Sequence, residues 1–117
     1  MKIHIYYRHT SNCIVRNRPN WFSFEKCWGN LLETIEGRDN INLTLALDGN
    51  IEKDFTKYYK DKFKLFPTNY GSSLLSYRDL LKHIQNTKMD EDDLIYFVEN
   101  DYLHVDGWVD KVIDLFE

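Results

Sequence analysis

Leu94-Ile95-Tyr96-Phe97-Val98 is the stretch that most narrows what this chain can become. Five apolar or aromatic residues run without a break, bounded by Asp93 and by Glu99-Asn100-Asp101. A short apolar run between turn-type residues describes a strand buried on both faces, as in a parallel sheet. Carboxylates at its carboxyl end then fall on the rim where open α/β sheets place their ligands. The spacing Glu-x-Asp offers two hard oxygen donors, which suit Mg²⁺ or Mn²⁺ and, through the cation, a phosphorylated partner.

The rest of the chain alternates around that strand. Lys2 to Tyr7 (KIHIYY) reads as a first strand, broken by the polar residues Arg8 to Asn12 and followed by an irregular segment up to Asn20. Between Phe22 and Glu36 the period lengthens. Phe24, Trp28, Leu31, Leu32 and Ile35 form one face of an amphipathic helix, with Gly37 placed to end it. A second strand covers residues 41–47 and stops at Asp48-Gly49-Asn50. A second helix is predicted from about Ile51 to Phe63, and Lys64 to Pro67 reads as a short strand that proline ends or confines to a sheet edge. Ser72 or Ser73 caps a third helix whose expected buried face is Leu74, Tyr77, Leu81 and Ile84. An acidic loop, Asp90 to Asp93, leads into the 94–98 strand. A final helix carries Trp108, Val109, Val112, Ile113 and Phe116 on one side.

This β-α-β-α-β-α-β-α order predicts a single Rossmann-like α/β/α domain over residues 1–117, with a small parallel sheet and right-handed crossovers. With the first strand central, the strand order is 3-2-1-4 and the switch point falls between the first and fourth strands. Tyr7, Arg8 and His9 then face Glu99 and Asp101 across one crevice, with Asp48 nearby. The fourth strand is left as an edge, which favours self-association.

Composition removes several alternatives. A net charge of −4 with no basic run argues against a nucleic-acid backbone as partner. No apolar run reaches the ~18 residues of a membrane span, and the amino terminus has no signal-peptide shape, so a cytoplasmic location is expected. Cys13 and Cys27, far apart and outside any CxxC, read as free thiols of a reducing compartment.

Each candidate also has a plain structural reading. Glu99 and Asp101 can be a solvated strand end, Asp48 an Asx-turn with Gly49, and Arg8 and Arg78 exposed ion-pairing residues. The Gly71-Ser72-Ser73 turn offers N–H groups to an anion but lacks the Gly-Lys-[Ser/Thr] ending of a P-loop. His104, three residues after Asp101, is a further candidate metal ligand.

Taken in order, Tyr6-Tyr7-Arg8-His9-Thr10, Leu47-Asp48-Gly49, Tyr70-Gly71-Ser72-Ser73 through Arg78-Asp79, Ile95 to Tyr102 and Asp106-Gly107-Trp108 resemble the donor-binding half of GT-A-type glycosyltransferases. The strand end at Glu99-Asn100-Asp101 matches the Asp-x-Asp motif of that family, with Glu in the first position. The resemblance implies a truncated GT-A fold and metal-dependent transfer or hydrolysis of a nucleoside diphosphate sugar, most often a UDP-sugar. Asp101 would hold Mn²⁺ or Mg²⁺ on the diphosphate, and Glu99 would touch the ribose or the metal. Asp48 would hold the base, while Tyr7, Arg8 and Thr10 line the nucleoside pocket. Ser73 and Arg78 would contact the donor. It assigns no general base. The rival readings are a non-catalytic nucleotide-binding or assembly subunit and a receiver-like signalling module. A receiver, however, carries acids after its first strand where this chain has Arg8-His9.

Overall fold

The computed structural model describes residues 1–10, 19–49 and 63–116. They form strands β1 (Ile3–Thr10), β2 (Ile41–Asp48), β3 (Lys64–Thr68) and β4 (Leu94–Glu99), and helices α1 (Phe24–Ile35), α2 (Ser73–Gln85) and α3 (Trp108–Phe116). The sheet is parallel throughout, with strand order β3-β2-β1-β4. The fold is thus the small Rossmann-like α/β domain expected, with its switch point between β1 and β4. The helix predicted over 51–63 and the loop at 11–18, with Cys13, lie outside the described residues; Phe63 is a bend.

Period-two alternation divides the labour of the sheet. Ile3, Ile5 and Tyr7 of β1, Leu43, Leu45 and Leu47 of β2, and Val98 of β4 point to one face. There they meet Trp28 and Leu31 of α1 and Trp108 and Val109 of α3. The Tyr7 and Trp28 rings lie 4.8 Å apart. On the other face Tyr6, Ala46, Phe66 and Phe97 meet Leu80 and Ile84 of α2. Both longer helices start at a serine cap: Ser23 accepts from the Lys26 N–H at 3.0 Å, and Ser72 from the Leu75 N–H at 3.3 Å. Gly37, at φ 75°, follows α1 in the left-handed conformation that glycine adopts without strain. Cys27 is fully buried in α1.

Four sequence expectations need adjustment. Arg8-His9-Thr10 does not break β1, because parallel pairing with β2 and β4 satisfies its backbone while its polar side chains reach the rim. Pro67 lies inside β3. The Thr68 carbonyl accepts the N–H of Gly49, the residue after β2, at 2.9 Å, so residue 67 turns its backbone to the open side, where no donor is needed. The α2 face is rotated by about one position: Leu80 is fully buried, whereas Leu74 and Leu81 are exposed. Tyr77, Leu80 and Ile84 make a complete i, i+3, i+7 stripe without them. Finally, β4 is the edge strand expected but is not buried on both faces: Ile95 is 45% exposed.

The amino-terminal rim is closed by Asp93, which accepts the Lys2 N–H at 2.9 Å and bonds the His4 ring at 2.8 Å. Those bonds, His4 first, hold its carboxyl below the ordinary aspartate value of 3.8. A depressed carboxyl favours the fold at pH values above its unfolded value and gives up that contribution as the pH falls through its folded value. Asp93→Asn is therefore expected to flatten the acid limb of stability below pH about 4, read by urea denaturation across pH. Leu80→Ala should cost about 2–5 kcal/mol, and Leu81→Ala less than about 1 kcal/mol. Equal losses would contradict the observed helix rotation.

Candidate functional site

The carboxyl ends of β1, β2 and β4 come level, and the residues of one parity meet there. The register sets Arg8 beside Glu99 and Thr10 beside Asp48. Arg8 Nη1 donates to Glu99 Oε1 at 2.6 Å. The arginine is the more enclosed partner, its side chain 14% exposed against 40% for Glu99. Its guanidinium also lies over the Tyr77 ring of α2, 4.8 Å from the centroid, a favourable cation–π placement. Tyr77 in turn packs edge-on against Phe97 at 5.5 Å. The positive charge at the switch point is thereby held by both a sheet residue and a helix residue.

Asp48 is 3% exposed and builds the neighbouring loop. Its Oδ1 accepts the Thr68 hydroxyl at 2.5 Å and the Tyr70 N–H at 2.9 Å; its Oδ2 accepts the Gly71 N–H at 3.0 Å. The Thr68 hydroxyl lies 3.1 Å from that of Ser76 on α2. Of roughly four acceptor positions on a carboxylate, three are therefore used internally. Gly71, at φ 63°, supplies the left-handed turn that aims its N–H inward. The side chain anchors the β3–α2 turn to the end of β2.

After β4 the chain turns sharply, with the Tyr102 N–H meeting the Glu99 carbonyl at 3.3 Å. Asn100 is buried, and its amide lies 2.9 Å from His9 Nδ1. His9 packs edge-on to Phe24 at the start of α1, 5.4 Å away. Asp101 follows, partly exposed. Arg8, His9, Thr10, Asp48, Ser76 and Glu99 surround a cavity of about 50 Å³. A larger one, about 610 Å³, lies near the amino-terminal end of β2, lined by apolar side chains such as Leu32, Ile35 and Leu43 and by Glu33, Glu36, Arg38, Asn42 and Lys64, none of these polar residues buried. It holds no comparable convergence of buried polar groups, so the chemistry points to the smaller.

Of the residues singled out in the sequence, Arg8, Thr10, Asp48 and Glu99 share this rim, with Asp101 two residues beyond Glu99. Tyr7 lies on the opposite face, in the core under Trp28. Arg78 is exposed on α2 and does not line the cavity. Ser73 opens α2, and its side chain lies outside the described set. His104 turns to the core: its Nε2 is 2.8 Å from the Tyr96 hydroxyl, and its backbone is bracketed by the Asn30 amide at 2.6 and 3.0 Å. Burial lowers its pKa, keeping the ring neutral. Thr68, Ser76 and Tyr77 were missed. Thr68 has the parity of Asp48 in register and was discoverable that way; Ser76 and Tyr77 required the orientation of α2.

Among the described residues, a group of three acids close enough to share a cation occurs at Asp90, Asp92 and Asp93. It lies at the other end of the sheet, where Asp93 is committed to Lys2 and His4 and Asp92 lies 4.0 Å from the terminal amine. None of the described helices is long and apolar enough to cross a membrane. A scan against protein-family models, a search of curated proteins and a search of solved structures each return no match.

Asp48→Ala leaves two part-buried N–H groups and a hydroxyl short of an acceptor and is expected to cost about 1–3 kcal/mol. In a double-mutant cycle with Thr68→Val, the two changes should be non-additive by at least about 0.5 kcal/mol. Additive losses by chemical denaturation would show that the short contact contributes nothing.

Proposed function

We propose that the protein binds a nucleoside diphosphate sugar, UDP-sugars first, through Mg²⁺ or Mn²⁺ at the carboxyl ends of β1 and β4, and transfers or hydrolyses its glycosyl group. The observation that carries this reading is the Arg8–Glu99 pair at the switch point, followed two residues later by Asp101. A fixed guanidinium beside one carboxylate, with a second carboxylate two residues further along the chain, is a donor set for a metal–diphosphate: the cation meets the acids and the phosphate meets the arginine. Glu99 engages Arg8 through one oxygen, and its side chain remains 40% exposed. Glu99 and Asp101 are hard oxygen donors, and Mg²⁺-type sites are commonly completed by water and phosphate. When bound, the cation supplies stabilisation of the negative charge developing on the diphosphate leaving group.

The chain's own residues divide the remaining work. Arg8 is oriented by Tyr77 and presents charge to phosphate oxygens. Donor binding exchanges its contact with Glu99 for contacts of each partner with the ligand. Asp48 contributes chiefly by ordering the rim beside the donor. The cavity of about 50 Å³ is far below the ~300 Å³ or more of small-molecule pockets. The donor therefore lies across the rim, and opening of the ion pair accompanies its entry.

Calorimetric titration with UDP-, GDP- and CDP-sugars, with and without Mn²⁺, tests the reading. Binding to one sugar nucleotide should strengthen with the metal, and Asp101→Ala should abolish that increment. Unchanged UDP and Mn²⁺ binding in Asp101→Ala would reject the proposal. A time course of free UDP then separates turnover from binding alone.

A further inference from the structure

We propose that the protein forms a two-fold symmetric dimer by antiparallel pairing of β4 with β4 of a second copy, centred on Tyr96. The two edges of the sheet are built differently. The β3 edge carries Lys64 and Pro67, and Pro67 sits where its missing donor faces outward. Charge and proline are the usual guards against edge pairing. The β4 edge has no proline, and it is uncharged from Leu94 to Val98, with Glu99 at its end. Among the described residues no strand pairs with its outer side.

The register shows which groups are offered. The Leu94 N–H bonds the Lys2 carbonyl at 2.8 Å, so Leu94 points its backbone toward β1. Alternation then turns the backbone groups of Ile95, Phe97 and Glu99 outward. An axis perpendicular to the sheet preserves its faces, so only residues of like parity can sit opposite each other. Tyr96 is the midpoint of the apolar run. A dyad there sets Leu94 against Val98, Ile95 against Phe97 and Tyr96 against its own copy, each apolar residue meeting another. A shift of two residues would place Ile95 opposite Glu99. In the centred register Asp93 meets Glu99, but each already has a partner in its own chain, His4 and Arg8.

This self-complementarity commits the edge to a second copy rather than to an unrelated strand. On one face the pairing covers Ile95, 45% exposed, with the Phe97 of the other copy. On the other face α3 lies over Leu94 and Tyr96, with the Tyr96 and Trp108 rings 5.3 Å apart. The dyad therefore brings the two α3 helices toward each other. Leu115 and Phe116 at the end of α3 are 80% and 61% exposed, apolar surface of the helix that a second copy could cover. Stable interfaces bury about 1,000 Å² or more, which the strands and helices must supply together.

Light scattering coupled to size exclusion should give twice the 14.1 kDa chain mass. Ile95→Pro removes an outward N–H without touching the β1 ladder, and Ile95→Lys places a charge at an already exposed position. Both are expected to halve the mass while preserving the far-ultraviolet circular dichroism. Should the proline variant unfold, the lysine variant decides. Tyr96→Pro, whose N–H serves β1, should instead unfold the chain. A parent that stays monomeric across the micromolar range, or a dimer unaffected by Ile95→Lys, overturns the proposal.

Discussion

Every other element depends on the double pairing of β1. It is hydrogen-bonded to β2 along its whole length and to β4 through Arg8. Its side chains feed both cores: Ile3, Ile5 and Tyr7 under α1 and α3, and Tyr6 under α2. A one-residue slip would turn Arg8 into the space of Tyr7 beside Trp28, burying a guanidinium that cannot lose its charge. That penalty, set against an apolar face already filled by Trp28 and Leu31, specifies the register. The positions of Arg8 beside Glu99 and of Thr10 beside Asp48 are consequences of it.

Around that strand, polar contacts fasten both ends of the sheet. Asp93 closes the amino-terminal rim through Lys2 and His4. Asp48 closes the carboxyl-terminal rim through Thr68, Tyr70 and Gly71. Between β4 and α3, Asn30 clasps the backbone of His104, while Trp108 donates to Thr34 of α1 at 3.0 Å. Arg38 and Asp110 join α1's exit to α3 through a two-bonded ion pair. The second of the two partners is well exposed, so this contact orients more than it stabilises.

Much of this arrangement was legible in the residues. The all-parallel sheet and its order follow from alternating strand and helix periods with a central first strand, and they hold. The apolar faces of α1 and α3 were readable from the helical spacing of residues such as Trp28, Leu31, Trp108 and Val112, though Phe116, expected on the α3 face, is exposed. α2 was misread because Leu74 and Leu81 complete a helical stripe with Tyr77 and Ile84 as readily as Leu80 does, and only packing against Tyr6 and Phe97 breaks the tie. The site shows the same limit. Alternation alone could put Arg8, Asp48 and Glu99 on one rim. It could not reveal that Asp48 is occupied by backbone amides from a turn more than twenty positions later, or that His104 looks into the core. Those facts depend on loop paths, which carry no period.

The split of the sheet by parity has a consequence for how this protein can change. Tyr7, Leu47 and Val98 hold the core, and their immediate neighbours Arg8, Asp48 and Glu99 form the rim. Adjacent letters of one strand therefore answer to separate demands. Arg8 and Glu99 can be exchanged for other polar residues with little disturbance to the packing under α1, so the chemistry of the rim can drift while the scaffold is conserved. Asp48 is the exception, since altering it also loosens the turn into α2. Diversification along this rim would accordingly begin at β1 and β4, with β2 the last strand end to vary.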